Sequence, residues 1–289
     1  MGDTTTGTTR DDGTTRRVHA EPVMGTVVSI DVRLPAGPVT TAGPVGPASN
    51  QPKLTAAAVD AAIASAILAL HRADDDFSTF RPASWVSRLR RGEIDVDDCP
   101  EHVREVHRLA TTCRERTRGY FDPGWRADGT LDPTGLVKGW AADAASAALT
   151  AAGITTHCVN AAGDLRASGQ AAPGRPWRVG IADPFDRGRF VAVLECTDLA
   201  VATSGVAEQG QHVVNPRTGA PASGLASVTV VGPDLTLADA YATAGLAAGL
   251  EAWDLLADLG QDGWEWLTVE AAGRLRCSPG LRQQLARHA

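Results

Sequence analysis

The sequence lacks the features that mark several broad classes of protein. Aromatic residues make up 5% of its 289 residues, and no apolar run reaches the roughly 20 residues that a bilayer span requires. The Ala-rich stretch over 54–70 comes nearest, but it carries Asp60 and runs into charged residues, so it reads as a packed helix and no membrane partner is expected. Positive charge is not in excess either: 27 Lys and Arg stand against 34 Asp and Glu, a formal charge of -7. Nothing basic is clustered to neutralise a phosphodiester backbone, so nucleic acid is not an expected partner, although a small anion could be held locally. The five cysteines are widely spaced, odd in number and form no C-x-x-C pair. That excludes zinc-knuckle and dithiol redox motifs and fits a reduced, cytoplasmic setting. No G-x-G-x-x-G follows a strand, and Lys138 is preceded by Val137 where a Walker loop has glycine, so neither dinucleotide fingerprint is present. Ser204, in A-T-S-G-V, lacks the first glycine of a nucleophile elbow, which argues against Ser-His-Asp hydrolysis.

What remains is a chain long enough to bury a sizeable core. Residues 1–19, rich in Thr, Gly, Asp and Arg, contain no apolar run and carry neither a secretory nor a lipoprotein pattern, so they are expected to be a disordered tail. From Val23, the apolar Val28, Ile30, Val32 and Leu34 alternate with Ser29, Asp31 and Arg33, which predicts a half-buried strand. Gly25 at its start lets a flat ligand or another backbone come close. A Pro/Gly/Ala stretch over 35–53 predicts a mobile loop. Helices are predicted over 54–76, from a Ser84 cap to Gly92, over 100–118 and over 237–250, with His102 and His107 expected at the surface. Short strands with turns between them are predicted within 157–168, 177–181, 190–196, 199–202 and 226–231, with a hairpin at Arg187. The fold class is therefore α+β: a single domain over 20–289 with a mixed, largely antiparallel sheet flanked by helices.

The densest stretch is DPTGLVKGWAAD, residues 132–143. Pro133 and Gly135 delay helix formation, so a helix is expected to begin near Val137. Its unpaired N–H groups, its dipole and the Lys138 charge would hold an anion such as a phosphate, unless this is an ordinary helix start with a solvated lysine. Tyr120, Phe121 and Asp122, between a helix stop and Pro123, read either as a pocket wall for a planar ring or as core aromatics beside a capping aspartate. Asp239 and Thr243 are four apart on a helix. They offer two hard oxygen donors suited to Mg²⁺, and equally the pattern of a capping aspartate with a back-bonded threonine. His212 stands among loop glycines, a setting that gives a lone histidine more than a structural reading.

These stretches together resemble the flavin transferase family called ApbE, the FAD:protein FMN transferases. The elements occur in the family's order: MGT at Met24, FSTFRPASWVSRL at Phe77, GYFDP at Gly119, DPTGLVKGWAAD at Asp132, NAAGD at Asn160, PWRVGIADP at Pro176, ATSG at Ala202, HVVNPRTG at His212 and ADAYAT at Ala238. The resemblance implies an enzyme that takes FAD as substrate with Mg²⁺, releases AMP and attaches FMN by a phosphoester to a Thr or Ser hydroxyl of an acceptor flavoprotein. It implies Asp239, Thr243 and the main-chain carbonyl of Val137 as metal ligands, and Lys138 beside the phosphates. Thr134 and Trp140 would border the same turn, Met24, Tyr120, Phe121 and Asp122 would contact the nucleotide, and His212 would be the base. The chain departs from the family at Ala162, where a second glycine is usual, at Asn215, where aspartate is common, and in the GVAEQGQ loop after Ser204, which lacks an aromatic and an arginine. FAD storage without transfer, or Mg²⁺-dependent hydrolysis of FAD to FMN and AMP, are the alternative activities.

Overall fold

The structure, a computed structural model, describes residues 7–11, 14–35, 54–126, 128–206 and 213–286. The strands are β1 (Gly7–Asp11), β2 (Thr14–Val23), β3 (Thr26–Pro35), β4 (His157–Ala161), β5 (Asp164–Ser168), β6 (Trp177–Asp183), β7 (Asp186–Cys196), β8 (Ala200–Gly205), β9 (Leu225–Gly232), β10 (Glu265–Glu270) and β11 (Leu275–Cys277). The helices are α1 (Ala56–Phe77), α2 (Trp85–Arg90), α3 (Glu101–Arg116), α4 (Thr134–Ala151), α5 (Leu235–Ala248), α6 (Ala252–Gln261) and α7 (Pro279–Ala286). Nine strands form one sheet in the order β1-β2-β3-β4-β5-β8-β9-β10-β11, and β6 pairs with β7 in a separate hairpin. Among the described residues every strand pair is antiparallel, so the expected sheet is found without a parallel component.

The period-two alternation of the strands divides the interior into two apolar layers. Val159, Ala161, Ala200, Ala202, Val228 and Val230 face the helices and join the core with Leu70, Leu136, Leu149 and Tyr241. Their neighbours Leu165, Ala167, Val201, Val231 and Leu267 face the other way, where Trp177, Ile181, Leu194 and Leu281 of the hairpin and α7 cover them. The sheet is thus sandwiched between helices and a hairpin, which explains why its central strands carry apolar residues at consecutive positions.

Two expectations about the first part of the chain change. Residues 7–11 and 14–19 are not a disordered tail. β2 pairs with β3 along its whole length, from Thr14 opposite Pro35 to Val23 opposite Thr26. Its polar composition concealed it, because β2 docks on α1 through ion pairs: Arg17 to Asp60 at 2.6 Å and His71 to Glu21 at 2.8 Å. Residues 1–6 lie outside the described residues, as does the expected mobile loop after Pro35, which itself ends β3. His102 is not a free surface residue either. Its Nε2 contacts Asp76 Oδ2 at 2.8 Å and its ring stacks on Trp140 at 6.2 Å.

His157 ties α4 to the sheet from a fully buried position. Its Nδ1–H donates to the Ile154 carbonyl at 2.9 Å, and Nε2 accepts from the Ser146 hydroxyl at 2.7 Å, a pattern that requires the neutral ring. Burial pushes its pKa down to about 4. Because the folded value lies below the unfolded one, near 6.5, the unfolded chain takes up the proton first as pH falls. Stability should decline between about pH 6.5 and 4 by about 3 kcal/mol and lose nothing more from this group below that window. Urea unfolding across this range, compared with His157→Gln, measures it; equal pH slopes in the two proteins would rule the histidine out as the acid-sensitive element.

Candidate active site

One end of the sheet collects the turns that build a cleft of about 750 Å³. Met24 and Gly25 form the two-residue turn between β2 and β3, with φ of 54° and 69°. Ala162 and Gly163 do the same between β4 and β5, with φ of 53° and 98°. Two consecutive left-handed residues give the turn whose twist matches a hairpin. The glycine expected by resemblance at position 162 is thus replaced by a side chain in a glycine-favouring conformation. The C-terminal end of β8, with Thr203, Ser204 and Gly205, reaches the cleft beside these turns.

Helix α4 points its first turn into the same space, and Thr134, Gly135, Val137 and Lys138 all line it. The helix starts at Thr134, three residues earlier than expected. Proline and glycine do not delay it because first-turn N–H groups have no partner inside the helix to lose. Instead Asp132 Oδ1 receives the Thr134 hydroxyl at 2.6 Å and its N–H at 3.3 Å, which caps the entrance. Asp132 is itself buried and paired with Arg90 and Arg126, each at 2.9 Å. At Gly135 a Cβ would lie 3.0 Å from the Phe121 ring, so the bare backbone lets the helix end settle against that aromatic.

Asp239 and Thr243 come from α5, which crosses α4 at Gly139. There a Cβ would meet the Leu235 carbonyl oxygen at 2.5 Å, so only glycine permits the approach. The contact lets Gly139 N–H donate to Asp239 Oδ2 at 3.1 Å. Asp239 is 5% exposed. Burial pushes its carboxyl well above the usual carboxylate range, Lys138 pulls it back and Asp164 pushes it further up. Thr243 Oγ1 shares a hydrogen bond with Ser204 Oγ at 3.1 Å, so that a carboxylate and two hydroxyls converge near the Lys138 ammonium.

Of the residues singled out in the sequence, Met24, Tyr120, Phe121, Asp122, Thr134, Val137, Lys138, Asp239 and Thr243 line this one cleft. Tyr120 is further fixed from behind: its hydroxyl donates to Glu251 at 2.5 Å and accepts from Arg217 at 2.6 Å. Trp140 does not line the cleft. Its ring packs against Phe77 at 5.3 Å, two positions round the helix from Lys138, and serves the core beneath. His212 lies outside the described residues, although the next residue, Val213, lines the cleft. Sequence reasoning assigned no role to Phe80, Ser204, Asp132 or Asp164. Phe80 is 93% exposed and lines the cleft beside Phe77. The first three stand inside motifs already recognised; Asp164 ends another, NAAGD, and only the fold brings it to Lys138.

The α+β sandwich thus brings a helix N-terminus, an ammonium, a buried carboxylate and aromatic side chains together in one cleft. The same fold is seen in the flavin transferase ApbE from Vibrio cholerae, with a TM-score of 0.75 at 22% identity over 94% of this chain and 100% of that one. The apo flavinyl transferase ApbE of Pseudomonas stutzeri matches with a TM-score of 0.75 at 22% identity, over 94% of this chain and 97% of that one. In sequence, the FAD:protein FMN transferase of Rhodobacter capsulatus is 38% identical over 167 residues, 52% of this chain and 32% of that protein. The enzyme of the same name from Salmonella typhimurium is 32% identical over 131 residues, 42% of this chain and 37% of its own length. The aligned stretch thus spans about a third of each of these curated relatives. The ApbE family model matches residues 24–127 and 124–267, and the chain belongs to the ApbE family.

The crossing at Gly139 can be tested directly. Gly139→Ala should destabilise the protein by about 1–3 kcal/mol, because the helices must separate to admit the methyl group. Thermal unfolding reads this, and an unchanged midpoint would mean that α4 and α5 part there without cost.

Proposed function

We propose that the protein transfers FMN from FAD to a Thr or Ser hydroxyl of an acceptor protein, with a divalent cation such as Mg²⁺ and release of AMP. The observation that carries this reading is the convergence of the α4 N-terminus, Lys138, Asp239 and Thr243 on one cleft of an ApbE-family fold. In the reaction an acceptor oxygen bonds to the FMN phosphorus, the pyrophosphate bond to AMP breaks with its electron pair, and the hydroxyl proton passes to a base. Such transfers depend on positioning and on neutralising phosphate charge more than on covalent catalysis by the protein.

The residues present suit a hard cation. Asp239 is a buried carboxylate whose charge burial disfavours, Thr243 adds a hydroxyl one helical turn on, and the Val137 carbonyl has a lone pair left beyond its helical bond. Among the described residues no group of three or more His, Cys, Asp or Glu side chains could hold a metal. A site with so few protein ligands matches Mg²⁺, which keeps waters or phosphate oxygens in the remaining positions. When bound, the cation would supply charge neutralisation at the pyrophosphate. Lys138 and the positive end of the α4 dipole orient the phosphates, while Met24, Phe80, Tyr120 and Phe121 offer apolar surface for a flavin ring. His212 is the proposed base, since imidazole is the side chain best suited to take up a proton in the physiological pH range.

Incubation with FAD, Mg²⁺ and candidate acceptor proteins tests the reading: flavin fluorescence should become covalent on an acceptor. Release of free FMN without labelling would indicate hydrolysis, and intact bound FAD would indicate storage; either outcome displaces the transferase reading. Asp239→Asn retains an acceptor for the Gly139 N–H but removes the charge, and turnover should fall at least about a hundred-fold. Undiminished turnover with an unchanged Mg²⁺ requirement would remove the metal assignment.

A further inference from the structure

Lys138 does not stand in the cleft on the strength of α4 alone. Its ammonium forms an ion pair with Asp164 Oδ2, and Asp164 is 1% exposed, whereas about a third of the Lys138 side chain is accessible. The anchor is therefore buried and the head faces the cleft. Asp164 reaches this position through the hairpin turn. The pairing of Ala161 with Asp164 makes Asp164 the first residue of β5, and alternation places it on the helix-facing side while Leu165 and Ala167 enter the opposite core.

The other oxygen of the same carboxylate is also committed. Oδ1 accepts from Thr203 N–H at 2.7 Å. β5 and β8 pair at Leu165 with Val201 and at Arg166 with Ala200. Continued by two residues, that register would set Thr203 against Gly163, which the turn has already diverted. The carboxylate thus replaces the missing backbone acceptor and fixes the strand end that carries Thr203 and Ser204 along the cleft.

We propose that Asp164 is the positioning residue of the cleft, holding the Lys138 ammonium at its floor and registering the end of β8 beside it. The proposal rests on the reading of the cleft as a dinucleotide phosphate site. The bond to Asp164 fixes the direction in which the ammonium presents its donors. The stem has four rotatable bonds, and a fixed, buried contact to its head removes part of that freedom. Asp164 touches no reacting atom in this scheme and acts through Lys138.

Lys53 and Lys138 are the only lysines in the sequence, so amine chemistry reports on Lys138 almost without background. Asp164→Asn preserves an oxygen for Thr203 and deletes the ion pair. In the protein without FAD, pulse acetylation followed by peptide mass spectrometry should show Lys138 reacting at least about ten-fold faster in this variant than in the wild type. Equal rates in a folded variant would overturn the proposal. Should the variant not fold, the wild type decides: Lys138 must be acetylated at least about ten-fold more slowly in the native protein than in urea, and equal rates would refute it. With FAD and Mg²⁺, Asp164→Asn and Lys138→Met should each reduce turnover, and the double variant should be no slower than Lys138→Met alone. Effects that multiply would show that Asp164 acts elsewhere. If the wild type neither binds nor turns over FAD, the parent reading fails while the acetylation result still decides the link between Asp164 and Lys138.

Discussion

The close approach of α4 and α5 at Gly139 is the constraint on which the cleft depends. Lys138 and Asp239 belong to different helices, separated by a hundred residues of chain, and neither helix alone could bring them together. The backbone contact does so by removing a side chain, and it is held from both ends. Asp143, one turn further along α4, accepts the N–H groups of Leu235 and Thr236 at 3.0 and 2.8 Å, and so caps the start of α5. Asp239 in turn accepts the Gly139 N–H from inside α4. Each helix thus supplies a carboxylate to the backbone of the other, and a shift along the crossing would strand buried polar groups on both sides.

The sheet delivers the opposite wall by a different means. Two-residue turns reverse β2 into β3 and β4 into β5 at the same end, so little loop separates the strands from the cleft. Ladder hydrogen bonds and the two-layer apolar packing then hold Met24, Asp164 and Thr203 in fixed relation. A rigid scaffold of this kind suits a reaction whose rate depends on placement. Polar groups sit in this interior because donors meet them: Asp164 accepts from Thr203 N–H and pairs with Lys138, and Asp239 Oδ2 accepts from Gly139 N–H.

Much of this was legible in the sequence, and the misses have physical causes. Helix periodicity and caps located α1, α3 and α5 within a few residues, and Ser84 caps α2 by accepting from Ser87 N–H at 3.1 Å, as its sequence position indicates. The start of α4 was misplaced because proline and glycine break helix interiors yet are tolerated at entrances, a distinction that depends on where the cap falls. β2 escaped notice because an outer strand bound to a helix by ion pairs carries no apolar alternation. The resemblance puts Trp140 at the same turn as Lys138, but on a helix residues two positions apart point to nearly opposite sides, and Trp140 packs on Phe77 instead. Asp164 was invisible for the converse reason: its partner lies on another element, and no spacing rule reaches across a fold.

The charge balance of the cleft bears on the choice among anionic ligands. Asp239, Asp164, Asp132, Asp122 and Asp74 stand in or at its walls, and Arg90 pairs with Asp132, Arg114 with Asp122 and Arg81 with Asp74. Arg126 is already bonded to Asp132, and Lys138 to Asp164. With those pairs made, these four carboxylates do not by themselves exclude an anion. Of the five, Asp239 is the carboxylate that burial holds above its ordinary pKa, and under the proposed function it is the one with most to gain from pairing with a cation.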